Sequence, residues 1–273
     1  FFADEVQELG DKCVTATLEA YRWAMRELLP TPKKVHYTFN LRDFSRVVQG
    51  IMLHRPSATF DAPAFVRLWM HEMLRVFGDR LIEDGDRAKF HEFLMSGTAK
   101  HFDAGADSPV MERIRDLDTS TTEFTFGKMR ALMFGNFMVA DAEGSARQYV
   151  ELDDLDQLST VVDKYLEDYN MESKTPMPLV MFRFAIEHVT RISRIISMPG
   201  GNMLLVGVGG SGRQSLSRLA AYMSDYELFQ IEISKNYNRE SWFEDLKQII
   251  KGAGTGSRPW VFLFSDVQIK YAS

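Results

Sequence analysis

The run MLLVGVGGSGRQS, Met203 to Ser215, constrains the fold more than any other stretch of the chain. A short apolar segment leads into Gly207, Gly209, Gly210 and Gly212, after which Leu216, Leu219, Ala220 and Met223 recur at three- and four-residue steps. That order is a buried strand, a tight turn and a helix. Glycine frees successive backbone N–H groups to converge on phosphate oxygens at the positive end of the helix. Gly207, Val208, Gly209, Gly210, Ser211, Gly212, Arg213, Gln214 and Ser215 are therefore expected to contact the phosphates of a nucleotide.

The full phosphate-loop pattern, G-x-x-x-x-G-K-[ST], puts a lysine on the terminal phosphates and a hydroxyl on magnesium. Arg213 keeps the charge, in a bulkier planar fork. Gln214 lacks the short hydroxyl, and Ser215 points about 100° further around the helix. Hydrolysis also needs an acidic pair at the tip of a later strand, one carboxylate for the metal and one to polarise water. The matching run, VFLFSDVQ, offers Ser265 and then Asp266, so Asp266 is the one catalytic candidate. No residue is assigned as a metal ligand, and magnesium finds a poor donor set.

Strand, helix, strand, helix, strand is the alternation that continues from the loop: LFQIEIS at 228–234 reads as a strand, Trp242, Phe243, Leu246, Ile249 and Ile250 share a helix face, and WVFLFSD at 260–266 reads as a third strand. The rest is helical in pattern. Val6, Leu9, Cys13, Ala16, Ala20 and Trp23 form one stripe that must end before Pro30. Asn40 caps a helix carrying Leu41, Phe44, Val47, Val48 and Ile51 inward; Asp61 and Pro63 start another with Phe65, Leu68, Trp69, Met73, Val76 and Phe77 inward. Asp84-Gly85-Asp86 precedes a short helix with Phe90, Phe93 and Leu94. Residues 97 to 148, interrupted by Gly97, Gly105, Gly127, Gly135 and Gly144, read as loops and short elements and as the domain boundary. Helices resume with Leu155, Leu158, Val161, Val162, Leu166 and Tyr169, and with Phe182, Ile186, Val189, Ile192 and Ile196 before Pro199-Gly200.

Net charge is -6, with Lys and Arg scattered, which argues against nucleic acid as a partner. No apolar run approaches the roughly 18 residues that cross a bilayer, so no membrane partner is expected. The single cysteine, Cys13, sits on an apolar stripe and reads as core in a reducing compartment such as the cytoplasm. His36, His54, His71, His91, His101 and His188 lack metal-ligand spacing, Ser211 and Asp225 form no triad with them, and ELDDLDQ at 151–157 reads as a solvated helix start. The chain begins at Phe1 without Met and stops at Ser273 after an apolar run, and it reads as a piece of a longer polypeptide.

With these residues in view the chain resembles the heavy chain of axonemal (ciliary) dyneins. The resemblance is carried by LLPTPKKVHYTFNLRDFSRVVQGI at 28–51, LMFGNFM at 132–138, MFRFAIEHVTRISRI at 181–195, GNMLLVGVGGSGRQSLSRLAAYM at 201–223 and VFLFSDVQIK at 261–270, whereas the end IKYAS is less similar. It implies an α/β fold class with a large all-helical part. Residues 1–148 would be the helical lid of the third AAA+ module of the motor ring and its connection. Residues 149–273 would open the fourth module, with its P-loop and a partial parallel sheet lacking strands 4 and 5. In that family's strand order, 5-1-4-3-2, the loop strand would keep an unpaired edge.

The resemblance places Arg42 at a sensor position toward the preceding module's nucleotide, and Pro178, Leu179 and Val180 near adenine. It implies ATP or ADP held with little or no hydrolysis, as a regulatory or structural ligand, in a parent protein that is an ATP-driven motor. This piece alone is then no active ATPase. The partners implied are the rest of the ring, dynein intermediate and light chains, and microtubules, in the axoneme of a cilium or flagellum. Two alternatives remain: an active module using Arg213 and Asp266, or a nucleotide-free scaffold.

Overall fold

The computed structural model describes residues 2–57, 60–118, 124–139 and 147–269. Gly144 and the tail 270–273 lie outside the described residues. The chain divides into two compact units, Phe1–Asn136 with Glu143–Leu155, and Phe137–Ala142 with Asp156–Ser273.

The first unit is helical. Helix α1 (Asp4–Glu27) buries Val6, Leu9, Cys13, Ala16, Ala20 and Ala24 and ends before Pro30. Helix α2 (Leu41–Ile51) opens on a capping box, in which Asn40 and Asp43 each accept from the other's end of the first turn. Leu41 was expected to face inward, but it is 61% exposed: as the first helical residue it projects beyond the packed turn, and Asp43 takes the buried position instead. Helix α3 (Ala62–Val76), capped by Asp61 with Pro63 in its first turn, is buried along nearly its whole length, so it is the axis of the unit. Trp69, at 0% exposure, is its centre.

Helix α4 (Asp84–Phe102) is longer than the expected short element. Gly85 falls in its first turn, where a residue of low helix propensity costs little. Gly97 does not break it, because it packs on α3, with Trp69 Cη2 3.9 Å from where a β-carbon would sit. The helix ends on Asp103 at φ 54°, a left-handed cap. Helix α5 (Pro109–Leu117) and a two-strand antiparallel ribbon, β1 (Phe134–Gly135) with β2 (Val150–Glu151), complete the unit. Arg67 holds Glu151 at 2.9 Å and buried His71 meets the Tyr149 hydroxyl at 3.1 Å, so α3 anchors the ribbon end.

The connection from α1 to α2 is tied down through charge. Lys34 reaches Asp86 and Glu83 at 2.6 Å each, the Tyr37 hydroxyl donates to Asp86 at 3.0 Å, and Arg80 clasps the buried Asp43, one nitrogen at 3.2 Å. Breaking such a pair strands a buried carboxylate.

Cys13 is core, as its position on the stripe predicts, at 5% exposure. Burial pushes its thiol up to about 12, against the smaller opposite effect of the Thr17 hydroxyl. At about pH 8 the thiolate fraction is then on the order of one in ten thousand. Alkylation by iodoacetamide should be negligible in the folded chain and fast in urea; rapid labelling of folded protein would contradict the buried placement.

The second unit carries the glycine run. Helices α6 (Leu155–Glu172) and α7 (Arg183–Ser197) precede it, and α8 (Arg213–Met223) follows it. Phe182, the first of the spaced residues that mark α7, is its N-cap and 61% exposed. Helix α8 packs on α7, where Ser193 and Ser224 hydroxyls meet at 3.0 Å, and on α6 through Tyr169 and Tyr222, 5.5 Å apart. Strand β3 (Glu227–Gln230) runs parallel to β4 (Trp260–Leu263), joined through α9 (Arg239–Thr255). Both strands are shorter than the runs that predicted them. Helix α9, whose apolar residues share one face, buries none of them, since a two-strand sheet offers it little surface to cover.

The expected strand at 203–207 does not form. No described strand lies beside it, Leu204 and Val206 are 87% and 85% exposed, and an apolar run without a ladder partner has nothing to hold it in a sheet. No described helix is long and apolar enough to cross a membrane.

Candidate phosphate-binding loop

The loop is built between two fixed points. At one end Gly201 closes the turn after α7, its N–H donating to Met198 O at 3.0 Å. At the other, Leu216 N–H reaches Gly212 O at 2.8 Å as the first bond of α8. The N–H groups of Arg213, Gln214 and Ser215 therefore precede the helical ladder and have no intrahelical acceptor. No side chain caps this helix start and its first turn holds no acidic residue. Gly210 and Gly212 adopt φ +76° and +74°, a region open to glycine. Around Gly209 and Gly210 nothing lies within 4 Å of where a β-carbon would project. Residues Gly207 to Ser211 are exposed, as a backbone cradle for an anion must be. These features fit a polyphosphate.

Arg213 folds back over the loop, its guanidinium donating to Val208 O at 3.2 Å. The same cleft, about 1000 Å³, is lined by the loop from Gly210 to Ser215, by Leu179, and by Ser265 and Asp266 at the end of β4. The structure thus brings the catalytic candidate and the loop to one cavity, together with one of the three residues expected near adenine. Val180 is 83% exposed and Pro178 is exposed as well.

Magnesium does not fit this donor set. Gln214 Oε1 accepts from Gln230 Nε2 at 3.3 Å, and Gln230 Oε1 in turn accepts from Arg218 at 2.6 Å. Ser265, standing where a metal-shell carboxylate is needed, caps the turn Asp266–Gln268: its backbone N–H donates to Gln268 Oε1 at 2.7 Å and its hydroxyl points to the same oxygen at 3.4 Å. Asp266 is exposed and accepts from its neighbour's N–H, Val267, at 3.1 Å. Among the described residues no three His, Cys, Asp or Glu side chains are grouped to hold a metal.

Gln230, Arg218 and Gln268 were not singled out from sequence. A glutamine between the apolar residues of a strand run, LFQI at 228–231, was the available signal for Gln230. Arg42 lies in the other unit, at the exposed second position of α2; its N–H serves the Asn40 cap at 2.9 Å, and its side chain makes no hydrogen bond or ion pair among the described residues.

Two family models match the chain. A family model described as an AAA+ lid domain matches residues 13–112, and one described as the P-loop containing dynein motor region D4 matches 177–273. Lid and P-loop define an AAA+ chain of the dynein class. Across 264 residues the chain is 46% identical to dynein axonemal heavy chain 3 of Mus musculus, covering 97% of this chain and 6% of that protein. The human counterpart is 46% identical over 261 residues, 96% of this chain and 6% of the relative. Human dynein axonemal heavy chain 12 is 45% identical over 249 residues, 91% of this chain and 8% of the relative. The chain belongs to the axonemal dynein heavy-chain family, and it spans less than a tenth of the length of these relatives.

Proposed function

We propose that the chain is a segment of a ciliary dynein motor ring that holds ATP or ADP at Gly207 to Ser215 and turns it over slowly or not at all. Residues 1–148 serve as the lid and connection of the third module, and 149–273 as the opening part of the fourth. The bound nucleotide is a regulatory or structural ligand. The rest of the ring, intermediate and light chains and microtubules are the partners of the whole protein, which works in the axoneme of a cilium or flagellum.

The observation that carries this reading is the pairing of an open glycine cradle with metal positions that lack their carboxylate and hydroxyl ligands. Backbone N–H groups at the start of α8 are free to bind phosphate, while Gln214 turns its oxygen to Gln230 and Ser265, whose hydroxyl donates to Gln268, brings no carboxylate for a metal. Arg213 supplies the positive charge for the terminal phosphates, and Leu179 an apolar surface for the base. Arg42, unpaired and exposed at a helix start, suits a sensor of the preceding module's nucleotide.

The active-module alternative draws on Asp266 lying on the loop's own cleft. Steady-state ATP turnover of the intact motor, its first module disabled, separates the two. Asp266→Ala should leave the residual rate unchanged; a residual rate that is substantial and drops tenfold or more with this change, the roughly 1.4 kcal/mol signature of a lost catalytic group, would establish the active module instead. Nucleotide density missing from the loop in the full motor would favour the empty scaffold.

A further inference from the structure

Position 214 is not merely missing a hydroxyl; it is held in one orientation by two residues behind it. Arg218 carries only N–H donors, so the Gln230 atom facing it at 2.6 Å must be the carbonyl oxygen. That leaves the Gln230 amide nitrogen toward α8, where it can donate only to an acceptor. The Gln214 atom facing it at 3.3 Å is therefore Oε1. The relay begins at a guanidinium that cannot reverse its polarity, and every amide after it follows.

The consequence lies at the free end. Gln214 Nε2 makes no hydrogen bond among the described residues, and Gln214 lines the cleft beside Ser211, Arg213 and Ser215. With its oxygen turned to Gln230, the side chain presents its two N–H groups, rather than its oxygen, to the cleft. We infer that Arg218 and Gln230 are positioning residues that fix Gln214 as a hydrogen-bond donor to a phosphate oxygen, so that the loop takes its nucleoside di- or triphosphate without a divalent metal ion. The inference rests on the reading that the loop binds nucleotide. It adds that Arg213 supplies the positive charge and the Gln214 amide a charge-assisted hydrogen bond where a metal would otherwise stand, since donors to an ionised phosphate bind more strongly than neutral pairs.

The test is calorimetric titration of the full chain with ADP, once in EDTA and once in excess magnesium. Wild-type affinity should agree within about twofold between the two conditions. Gln230→Glu reverses the relay: its carboxylate still pairs with Arg218 but can only accept, so Gln214 must present its amide nitrogen inward and its oxygen to the cleft. Affinity in EDTA should fall about tenfold or more, and magnesium should restore much of it. Gln214→Leu, at the half-buried second position of α8, removes the donor while leaving Gln230 on Arg218, and should weaken binding about tenfold equally in both conditions.

Wild-type affinity that rises tenfold with magnesium overturns the metal-free reading and leaves nucleotide binding standing. So does a Gln214→Leu chain that binds as wild type does. If Gln230→Glu fails to fold, as circular dichroism would show, the wild-type and Gln214→Leu titrations decide alone. Wild-type chain that binds no ADP in either condition overturns both the nucleotide-loop reading and the relay's role in it.

Discussion

Trp69→Ala should destabilise the helical unit by about 3–5 kcal/mol, as truncating a fully buried aromatic does. The indole is completely enclosed at 0% exposure, lies 5.0 Å from the Phe102 ring and sits against Gly97. Its N–H donates to the Thr17 hydroxyl at 2.9 Å, and that hydroxyl passes its own proton to Cys13 O at 2.7 Å. Removing the ring therefore opens a cavity between α1, α3 and α4 and takes a donor from Thr17, while the Thr17 to Cys13 bond survives. Trp69→Phe, which keeps most of the volume and loses the N–H, should cost about 1–2 kcal/mol. Urea unfolding followed by far-ultraviolet circular dichroism measures both, with the transition of this unit fitted separately. A loss below about 1 kcal/mol for the alanine variant would show that the centre of the bundle is not close-packed.

The second large effect is expected at Gly201→Ala. A β-carbon there would stand 1.9 Å from Ile195 O, 2.9 Å from the Ile195 carbonyl carbon and 3.1 Å from Met198 O. All three are backbone atoms, of the last turn of α7 and of its C-cap, which cannot swing aside as a side chain does. The chain must move away just where it leaves the helix for the glycine run, at a cost of about 3 kcal/mol or more. Because the displaced segment leads into the loop, ADP affinity should fall together with stability. The neighbouring glycines grade the result. Gly200, at φ +62° with open space around it, should cost about 1–2 kcal/mol as alanine. Gly209, with no positive φ and nothing within 4 Å, should be near neutral in stability. A Gly201→Ala chain as stable as Gly209→Ala would refute the close approach.

Helix starts were the most legible part of the sequence, because caps act locally. Asn40 with Asp43, Asp61 with Pro63, and the glycine before Arg213 each mark a boundary that the structure keeps. The core of the first unit was legible for the same reason: spacing at three and four residues names the face that turns inward. Sheet membership was not. An apolar run such as MLLVG specifies a strand only when another strand supplies its hydrogen bonds, and that partner is a nonlocal fact no pattern within the run contains. Helix length misled where Gly97 interrupted the pattern, since small size there serves packing against Trp69 rather than a break. At the candidate site, the loop was visible from its glycines and Asp266 from its strand tip. The relay behind Gln214 was invisible, because Arg218 and Gln230 come together only when α8 crosses β3.

The ties on the α1 to α2 connection set how motion travels in the helical unit. Arg80 grips Asp43 from the corner after α3, while Lys34 and Tyr37 hold the α4 start at Asp86. The first turn of α2 is thereby tied to the corner after α3, and the connection before it to the start of α4. Any displacement of the α2 start away from the corner after α3 must therefore first break the Arg80–Asp43 pair and strand a buried carboxylate.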